Sequence, residues 1–298
     1  MRVAHIINPV ILKGSDLTVA QPLTFESMRI AAEYAAPAVD VELISTQFPE
    51  DREIVPAFFT VAPDLERSAL DVGSFAVPRK LPLIGDILDR MREAAPDADT
   101  YIYTNVDIGL VPHFYSTVAA LMQDHDALVI NRRTIPAEPN TVDDLPLIYA
   151  AVGERHPGYD GFVVSSELFR KIELGRILIG VPWIGTALLA NLACHAERLS
   201  VLRDAHLTFH LGDDRAWRRP ELEDYRTHNR REMSALADSW LAHGLIAGRP
   251  IVERIVNQLR IDEAGGPAFP QRTRAFRMLR RGVRSLRWRL ARARAATR

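Results

Sequence analysis

Over its first two-thirds the chain alternates short β-branched runs with longer amphipathic stretches, and that alternation restricts the fold more than any other feature. A strand followed by a helix-length segment and another strand is the βαβ unit, which builds a mostly parallel sheet with helices on its faces. The spacing predicts strands at 2–7, 40–46, 100–104, 126–131, 160–165 and 204–210. It predicts helices at 22–35, 81–94, 112–123, 166–172 and 182–196. In the 81–94 stretch, Leu81, Ile84, Leu88 and Met91 recur at spacings of three, four and three, one apolar face of a helix. The turn cluster Pro96-Asp97-Ala98-Asp99 then stops it, and Tyr101-Ile102-Tyr103 starts a strand. After 220 the pattern is helical, 220–242 and then 249–260, and Gly265-Gly266-Pro267 with Pro270 marks a linker. The expected organisation is an α/β domain over 1–217, a helical extension over 218–264, and a linker with a basic tail over 265–298.

A chain of 298 residues that is 47% hydrophobic can bury one large core. Cys194 is its only cysteine, so no intrachain disulfide forms, which suits a reducing compartment. Met1 leads directly into Val3-Ala4-His5-Ile6-Ile7, a strand rather than a basic leader with an apolar region. No stretch reaches the roughly 18 apolar residues of a membrane-spanning helix. The expectation is a cytoplasmic protein, soluble or peripheral on the inner face of the membrane.

Chemistry concentrates in Thr100-Tyr-Ile-Tyr-Thr-Asn105-Val-Asp107-Ile-Gly-Leu110. Here a strand ends in Asn105-x-Asp107, and in an open α/β sheet ligands bind beyond the carboxyl ends of strands. Two oxygen-bearing side chains one residue apart can share a hard cation, or one can bind it while the other meets a ribose hydroxyl or a water. A cation there would offset charge developing on a diphosphate leaving group. The plainer reading is a turn in which Asn and Asp act as caps. A second run, Asp204-Ala-His206-Leu-Thr-Phe-His210-Leu-Gly-Asp213-Asp214, ends a late strand in His210, an imidazole of the kind that ligates divalent metals. Its plainer reading is a packed histidine and an acidic turn.

Together, the first strand VAHIIN, the strand ending YTNVDI and the late strand ending in histidine resemble the GT-A glycosyltransferases over residues 1–217. The resemblance implies a Rossmann-like, mostly parallel central sheet flanked by helices, with a helical C-terminal extension. It implies hexosyl transfer from a nucleotide-diphosphate sugar to a glycan or lipid-linked acceptor, assisted by a divalent metal, Mn2+ or Mg2+. In the family the acidic DxD motif binds the metal and the donor, and a late histidine completes the metal shell. Carried to this chain, Asn105 and Asp107 meet the donor, while Asp107 and His210 hold the metal. The chain departs from the motif in having Asn105 where the first Asp would stand, and a neutral amide is a poorer metal ligand.

Further residues match the family more loosely. Asn8-Pro9 follows the first strand, where the donor loop lies, and the next helix brings Gln21, Thr24 and Glu26 towards it. Arg79-Lys80 and Arg132-Arg133 are cations placed to meet a diphosphate, or solvated basic pairs. His156-Pro-Gly-Tyr159-Asp160-Gly-Phe162 is an acceptor-side loop with an aromatic surface. Gly180-Val-Pro-Trp183-Ile-Gly185 lies where such enzymes often carry an acidic base, yet none occurs between Glu173 and Glu197. Asp160 is therefore the base expected of an inverting enzyme, and Asp107 the other catalytic carboxylate. Trp183 can equally be core packing.

The net charge of −1 hides a split: residues 271–298 hold 11 Arg and no acidic residue, leaving −12 on residues 1–270. Phe276, Leu279, Val283, Leu286 and Leu290 recur at helical spacing among those arginines, an amphipathic pattern suited to an anionic membrane surface. Docking on an acidic protein surface is a second reading, and nucleic-acid binding a weaker third. Two rival functions stay open. A non-catalytic nucleotide-sugar-binding protein would keep the fold with Asn105. A sugar-phosphate nucleotidyltransferase would want a Gly-rich, Arg-containing loop after the first strand, where Asn8-Pro-Val-Ile-Leu-Lys-Gly14-Ser15 has one Gly and no Arg.

Overall fold

The computed structural model describes residues 1–212 and 219–263. The expectations for Asp213-Asp214, the linker from Gly265 and the tail over 271–298 lie outside the described residues. Residues 1–252 form one compact unit, and the described residues 253–263 belong to a second.

In chain order the first unit holds β1 (Arg2–Ile7), α1 (Leu17–Ala35), β2 (Asp40–Ser45), β3 (Thr60–Val61), α2 (Ala69–Val72), α3 (Ile84–Ala94), β4 (Thr100–Thr104) and β5 (Gly109–Leu110). There follow α4 (Phe114–Leu121), β6 (Ala127–Ile130), β7 (Arg133–Ile135), α5 (Leu145–Ala150), β8 (Glu154–Arg155) and β9 (Gly161–Ser165). The unit continues with α6 (Ser166–Phe169), α7 (Ile184–His195), β10 (Leu199–Leu202), β11 (Thr208–Leu211) and α8 (Glu223–Ala242). A last helix, α9 (Pro250–Glu263), runs across the boundary into the second unit.

Seven strands form the central sheet in the order β10-β6-β9-β4-β1-β2-β3. Six point the same way, and β9 alone is antiparallel, to both β4 and β6. The sequence demands this arrangement: β4 and β6 are buried at every position and β1 at all but its first. Continuous burial belongs to strands covered on both faces. Ile6, Ile44 and Ile102 have no exposed surface, and each stabilises the fold by about 1.5–3 kcal/mol through burial. A core cluster joins β1, β4 and β9 to α1 and α4 through Val3, Ile7, Phe25, Met28, Ile102, Phe114 and Val163.

From β1 the chain steps outward to β2 and β3, then returns through α3 to the other side of β1 at β4. Strand order therefore reverses between β1 and β4, the place where open α/β sheets form a crevice beyond their carboxyl ends. A smaller sheet, β5-β11-β7-β8, is built from the segments that follow β4, β6 and β10.

Five of the predicted strands recur within one residue at each end, the sixth, 204–210, begins only at Thr208, and several helix boundaries move. α3 starts at Ile84, not at 81, because Leu81 precedes Pro82 and a residue before proline is pushed out of the helical region. Leu83 instead bridges to Leu178. α1 begins five residues before Pro22, and Gln21 reaches back to the Leu17 carbonyl within its first turns. The stretch 199–202, which had no prediction, forms β10 on the sheet edge, and β5, β7 and β8 are too short to show a period of two. α8 packs into the first unit: Tyr225 stacks on Phe75 with centroids 3.9 Å apart, and Asn229 bonds Leu178 through both its N–H and its carbonyl.

Candidate functional site

The site begins where the backbone leaves β4. Ile6 of β1 pairs with Tyr103, so two residues further on Asn8 and Asn105 emerge side by side at the carboxyl edge. A turn closed by Ile108 N to Asn105 O then carries Asp107. β5 follows at once and pairs with β11, Phe209 opposite Gly109. Gly109 is required there: a Cβ on it would lie 2.1 Å from Cζ of Phe209, whose ring crosses the strand. Side chains alternate along a strand, so with Phe209 buried against Leu23 and Ile135 the next residue, His210, faces the other way.

That geometry brings together two residues 103 positions apart. His210 Nε2 lies 3.1 Å from Asp107 Oδ2. The other ring nitrogen, Nδ1, lies 3.0 Å from the Gly212 carbonyl, which accepts its proton. Burial pulls the His210 imidazole down, but the Asp107 hydrogen bond and charge outweigh it, and the net shift is upward. Burial likewise pushes the Asp107 carboxyl up, and the bond from His210 with the charges of His210 and Arg132 brings it below the usual carboxylate range.

Two more groups close the site. Arg132, just past β6, donates to Asp160 Oδ1 at 2.9 Å, and both side chains are largely buried. Burial raises the Asp160 carboxyl; Arg132 opposes that and the charge of Asp107 adds to it. The electrostatic coupling of Asp107, Arg132, Asp160 and His210 marks them as one cluster. Tyr103 is the second group: burial first, and the charges of Asp107 and Asp160 next, keep its hydroxyl protonated, so it donates to Asn105 Oδ1 at 2.9 Å. The Asn105 oxygen is thus already engaged.

The loop over 156–160 is shaped from beneath. Asn131 Nδ2 donates to the carbonyls of His156 and Gly158, and Gly158 N donates to His156 Nδ1 at 3.0 Å. α7 begins against this loop, where a Cβ on Gly185 would lie 2.7 Å from the Tyr159 carbonyl oxygen. Trp183, at the head of α7, is half-buried with φ of 87°, a conformation that costs a bulky residue on the order of 1–3 kcal/mol.

The remaining sequence candidates lie at the same edge but serve other partners. Asn8 is buried and donates to the Thr46 carbonyl at 2.7 Å, and Pro9 beside it is buried too. Lys80 pairs with Glu50 at 2.6 Å and sits 4.0 Å over the Phe48 ring. The Arg79 backbone N–H donates to the Tyr225 hydroxyl, while its Nε is buried with no hydrogen-bond partner. Sequence reasoning missed Tyr103, Gly109 and Asn131. Only their position next to a strand end could have pointed to them.

The residues fit a divalent cation as a two-ligand site. Asp107 Oδ1 is buried without a hydrogen-bond partner, an oxygen a cation would satisfy. A histidine that gives its second N–H to a backbone carbonyl is oriented as metal-binding histidines are. Among the described residues no group of three or more His, Cys, Asp and Glu is gathered for a metal, so further ligands would have to come from a bound diphosphate and water.

No family model matches the chain, and no curated protein matches it by sequence. Solved structures do match. Residues 1–349 of S. aureus TarS in complex with UDP-GlcNAc superpose with a TM-score of 0.51 at 11% identity, covering 88% of this chain and 71% of that one. TarS 1–349 without the ligand gives 0.51 at 11%, covering 93% and 74%. The galactosyltransferase LgtC, in complex with donor and acceptor sugar analogues, gives 0.38 at 10%, covering 77% and 95%. The likeness to TarS is one of fold, and the chain has a GT-A-like α/β fold.

Proposed function

We propose that the protein is a metal-assisted glycosyltransferase that moves a sugar from a nucleotide-diphosphate donor to a glycan or lipid-linked acceptor. The observation that carries this reading is the Asp107–His210 contact at the β1/β4 switch point, with Asp107 Oδ1 left unpartnered in a buried position. A divalent cation bound there would offset the negative charge that develops on the departing diphosphate. Asp107 and His210 would hold it. Asn105, its oxygen engaged by Tyr103, offers its amide N–H groups to the ribose or a phosphate oxygen. Arg79, with an unsatisfied Nε, is a further donor for the diphosphate, and Asn8-Pro9 shapes the donor loop.

Asp160 is the proposed base. Its Oδ2 has no hydrogen-bond partner and lies 3.8 Å from His156 Nδ1, so this oxygen can accept a hydroxyl proton while Arg132 holds the other. The raised Asp160 carboxyl favours that transfer, since a general base works best when its pKa nears the working pH. The non-catalytic reading keeps one observation in its favour: α7 starts with Trp183-Ile184-Gly185 and has no carboxylate in its first turn. The cytoplasm, with the Arg-rich 271–298 segment at an anionic membrane, is the proposed location and rests on the sequence pattern alone.

The test is a thermal melt with UDP and other nucleoside diphosphates, with and without Mn2+, followed by an assay for metal-dependent release of sugar from the donor. A ligand that binds only the folded state raises the melting temperature by mass action. Stabilisation without sugar release would select the non-catalytic binder. No stabilisation by any nucleotide would reject both readings.

A further inference from the structure

The bonds under the 156–160 loop leave a set of polar atoms unused. Asn131 follows β6 and Asp160 precedes β9, and these strands pair antiparallel with Ile130 opposite Gly161, so the two residues lie one step beyond the last pair. Both are buried, at 2% and 6% exposure. Asn131 Nδ2 donates to the carbonyl of His156 at 3.2 Å and to that of Gly158. Asp160 Oδ2 lies 3.8 Å from His156 Nδ1 and 3.7 Å from where a Cβ on Gly158 would stand. The Asn131 amide and the Asp160 carboxylate therefore converge on one turn from two strands.

Elementary chemistry decides which atoms are spare. A carbonyl only accepts, so the Asn131 NH2 group must face His156 and Gly158, and Oδ1 is the end left over. Among the described residues, Asn131 Oδ1, Asp160 Oδ2 and Arg132 Nε are all buried with no hydrogen-bond partner. Arg132 Nη1 is meanwhile engaged by Asp160 Oδ1. A buried polar atom is costly to leave unpaired, and these call for a partner that the described chain does not supply.

Two spare acceptors beside one spare donor define the class of that partner. An ionised phosphate or carboxylate only accepts, so it would satisfy Arg132 and leave both oxygens unpaired. A metal ion would satisfy the oxygens but would sit against the positive guanidinium that Asp160 already holds. A hydroxyl group both donates and accepts. Two adjacent hydroxyls can give one proton each to Asn131 Oδ1 and Asp160 Oδ2, while one of their oxygens accepts from Arg132 Nε. A lone alcohol, such as a serine side chain, serves only one of the two acceptors.

We propose that Asn131 reads the hydroxyl next to the reacting one, so that the acceptor is a sugar carrying a vicinal diol. Asp160 Oδ2 takes the proton of the reacting hydroxyl, and Asn131 Oδ1 accepts from its neighbour. The reacting oxygen bonds the donor's anomeric carbon as the nucleoside diphosphate departs with the electrons of the broken bond. That the diol belongs to an acceptor rests on the transferase reading; the diol site itself does not. The test is saturation-transfer NMR on the full-length protein with UDP, using methyl glycosides of glucose, galactose and mannose and their monodeoxy analogues. At least one parent glycoside should bind. Loss of either of two adjacent ring hydroxyls should weaken binding about tenfold or more, because a site built to bind a hydroxyl rejects the analogue that lacks it. Loss of the other hydroxyls should matter little. Asn131→Ala should erase the penalty at one of the two positions and keep it at the other, a change of preference that general loosening of the fold would not produce. The deoxy series needs only the wild type, so the test survives if Asn131→Ala does not fold. The proposal fails if no parent glycoside binds, if one hydroxyl alone or two non-adjacent ones prove sensitive, or if Asn131→Ala weakens every analogue equally. It also fails if UDP-glucose or UDP-GlcNAc, added without a metal, displaces a glycoside that UDP leaves bound, since the diol would then be the donor's. Metal-dependent sugar release with no glycoside bound removes the diol site alone. Glycoside binding without any nucleotide binding leaves that site standing and removes the transferase reading.

Discussion

The seven-stranded and four-stranded sheets meet at the site, and they are held by different physics. The large sheet rests on burial: β1, β4 and β6 carry strings of apolar side chains enclosed on both faces, and any one contact is a small part of the whole. The small sheet has strands of two, four, three and two residues in the order β5, β11, β7, β8. Backbone pairing that short is weak without side-chain support. It depends on single close fits, Phe209 across Gly109 and His210 against Asp107. The scaffold should thus tolerate conservative change that the small sheet will not, and the site, built on the small sheet, inherits that sensitivity.

The largest expected effect is on chemistry. Asp107→Asn keeps the volume and removes the charge, and should lower donor turnover by about 10²–10³-fold and lower the melting temperature as well, because the buried His210 loses its charge partner. Sugar release from the donor, measured beside a thermal melt, checks both halves. Near-normal turnover would dissociate the Asp107–His210 contact from catalysis.

Next comes the close fit under it. Gly109→Ala would drive a methyl group into the Phe209 ring and should destabilise the protein by about 1–3 kcal/mol, as overpacking does, with loss of nucleotide binding as β5 shifts. Phe209→Leu added to Gly109→Ala should recover part of both, read by denaturant unfolding and a UDP-dependent thermal shift. A silent Gly109→Ala would mean the small sheet is as forgiving as the large one.

The large sheet has one polar weak point. His5, in the middle of β1, lies between the Tyr115 hydroxyl at 2.7 Å and Thr104 Oγ1 at 2.9 Å. Burial holds it neutral, lowering its pKa to about 3. The unfolded chain protonates this imidazole near 6.5, so its contribution to stability is complete above that pH and drains away as pH falls towards 3. Between pH 7 and 5 the loss should be about 2 kcal/mol. Denaturant midpoints at both values, compared with His5→Gln, isolate it: the variant should lose less over the same interval. An identical pH dependence in the two proteins would refute a buried neutral His5.

The smallest effect belongs to the exposed Lys80–Glu50 pair. Lys80→Ala should change stability by less than about 1 kcal/mol, as surface ion pairs do. A larger loss of UDP affinity than of stability would give Lys80 a place in the donor site beyond its bond to Glu50.

How much of this was legible in the residues depends on the length over which each signal is spread. The buried strands and amphipathic α3 could be read because several residues repeat one preference, and the run into Asn105-x-Asp107 put those residues just past the carboxyl end of β4. β5, β7 and β8 could not be read, since two or three residues carry no period. Asp160 was picked out as an isolated carboxylate, but its ion pair with Arg132 and the role of Asn131 under the loop needed the fold. For Lys80 the sequence left a diphosphate contact and a solvated basic pair both open, because local sequence shows a cation and not the Glu50 it meets 30 residues away.

By itself the sequence determined the α/β class, the strand that ends at Asp107 and the candidacy of His210, because alternation and strand-end chemistry are local properties of the chain. Tertiary structure alone decided that Asp107 and His210 touch, that Tyr103 occupies the Asn105 oxygen, and that Asn131 and Asp160 converge on one turn. Each of these is a contact or a space between segments distant in sequence. Its energy depends on distances that only the closed sheet sets, so no periodicity along the chain encodes it.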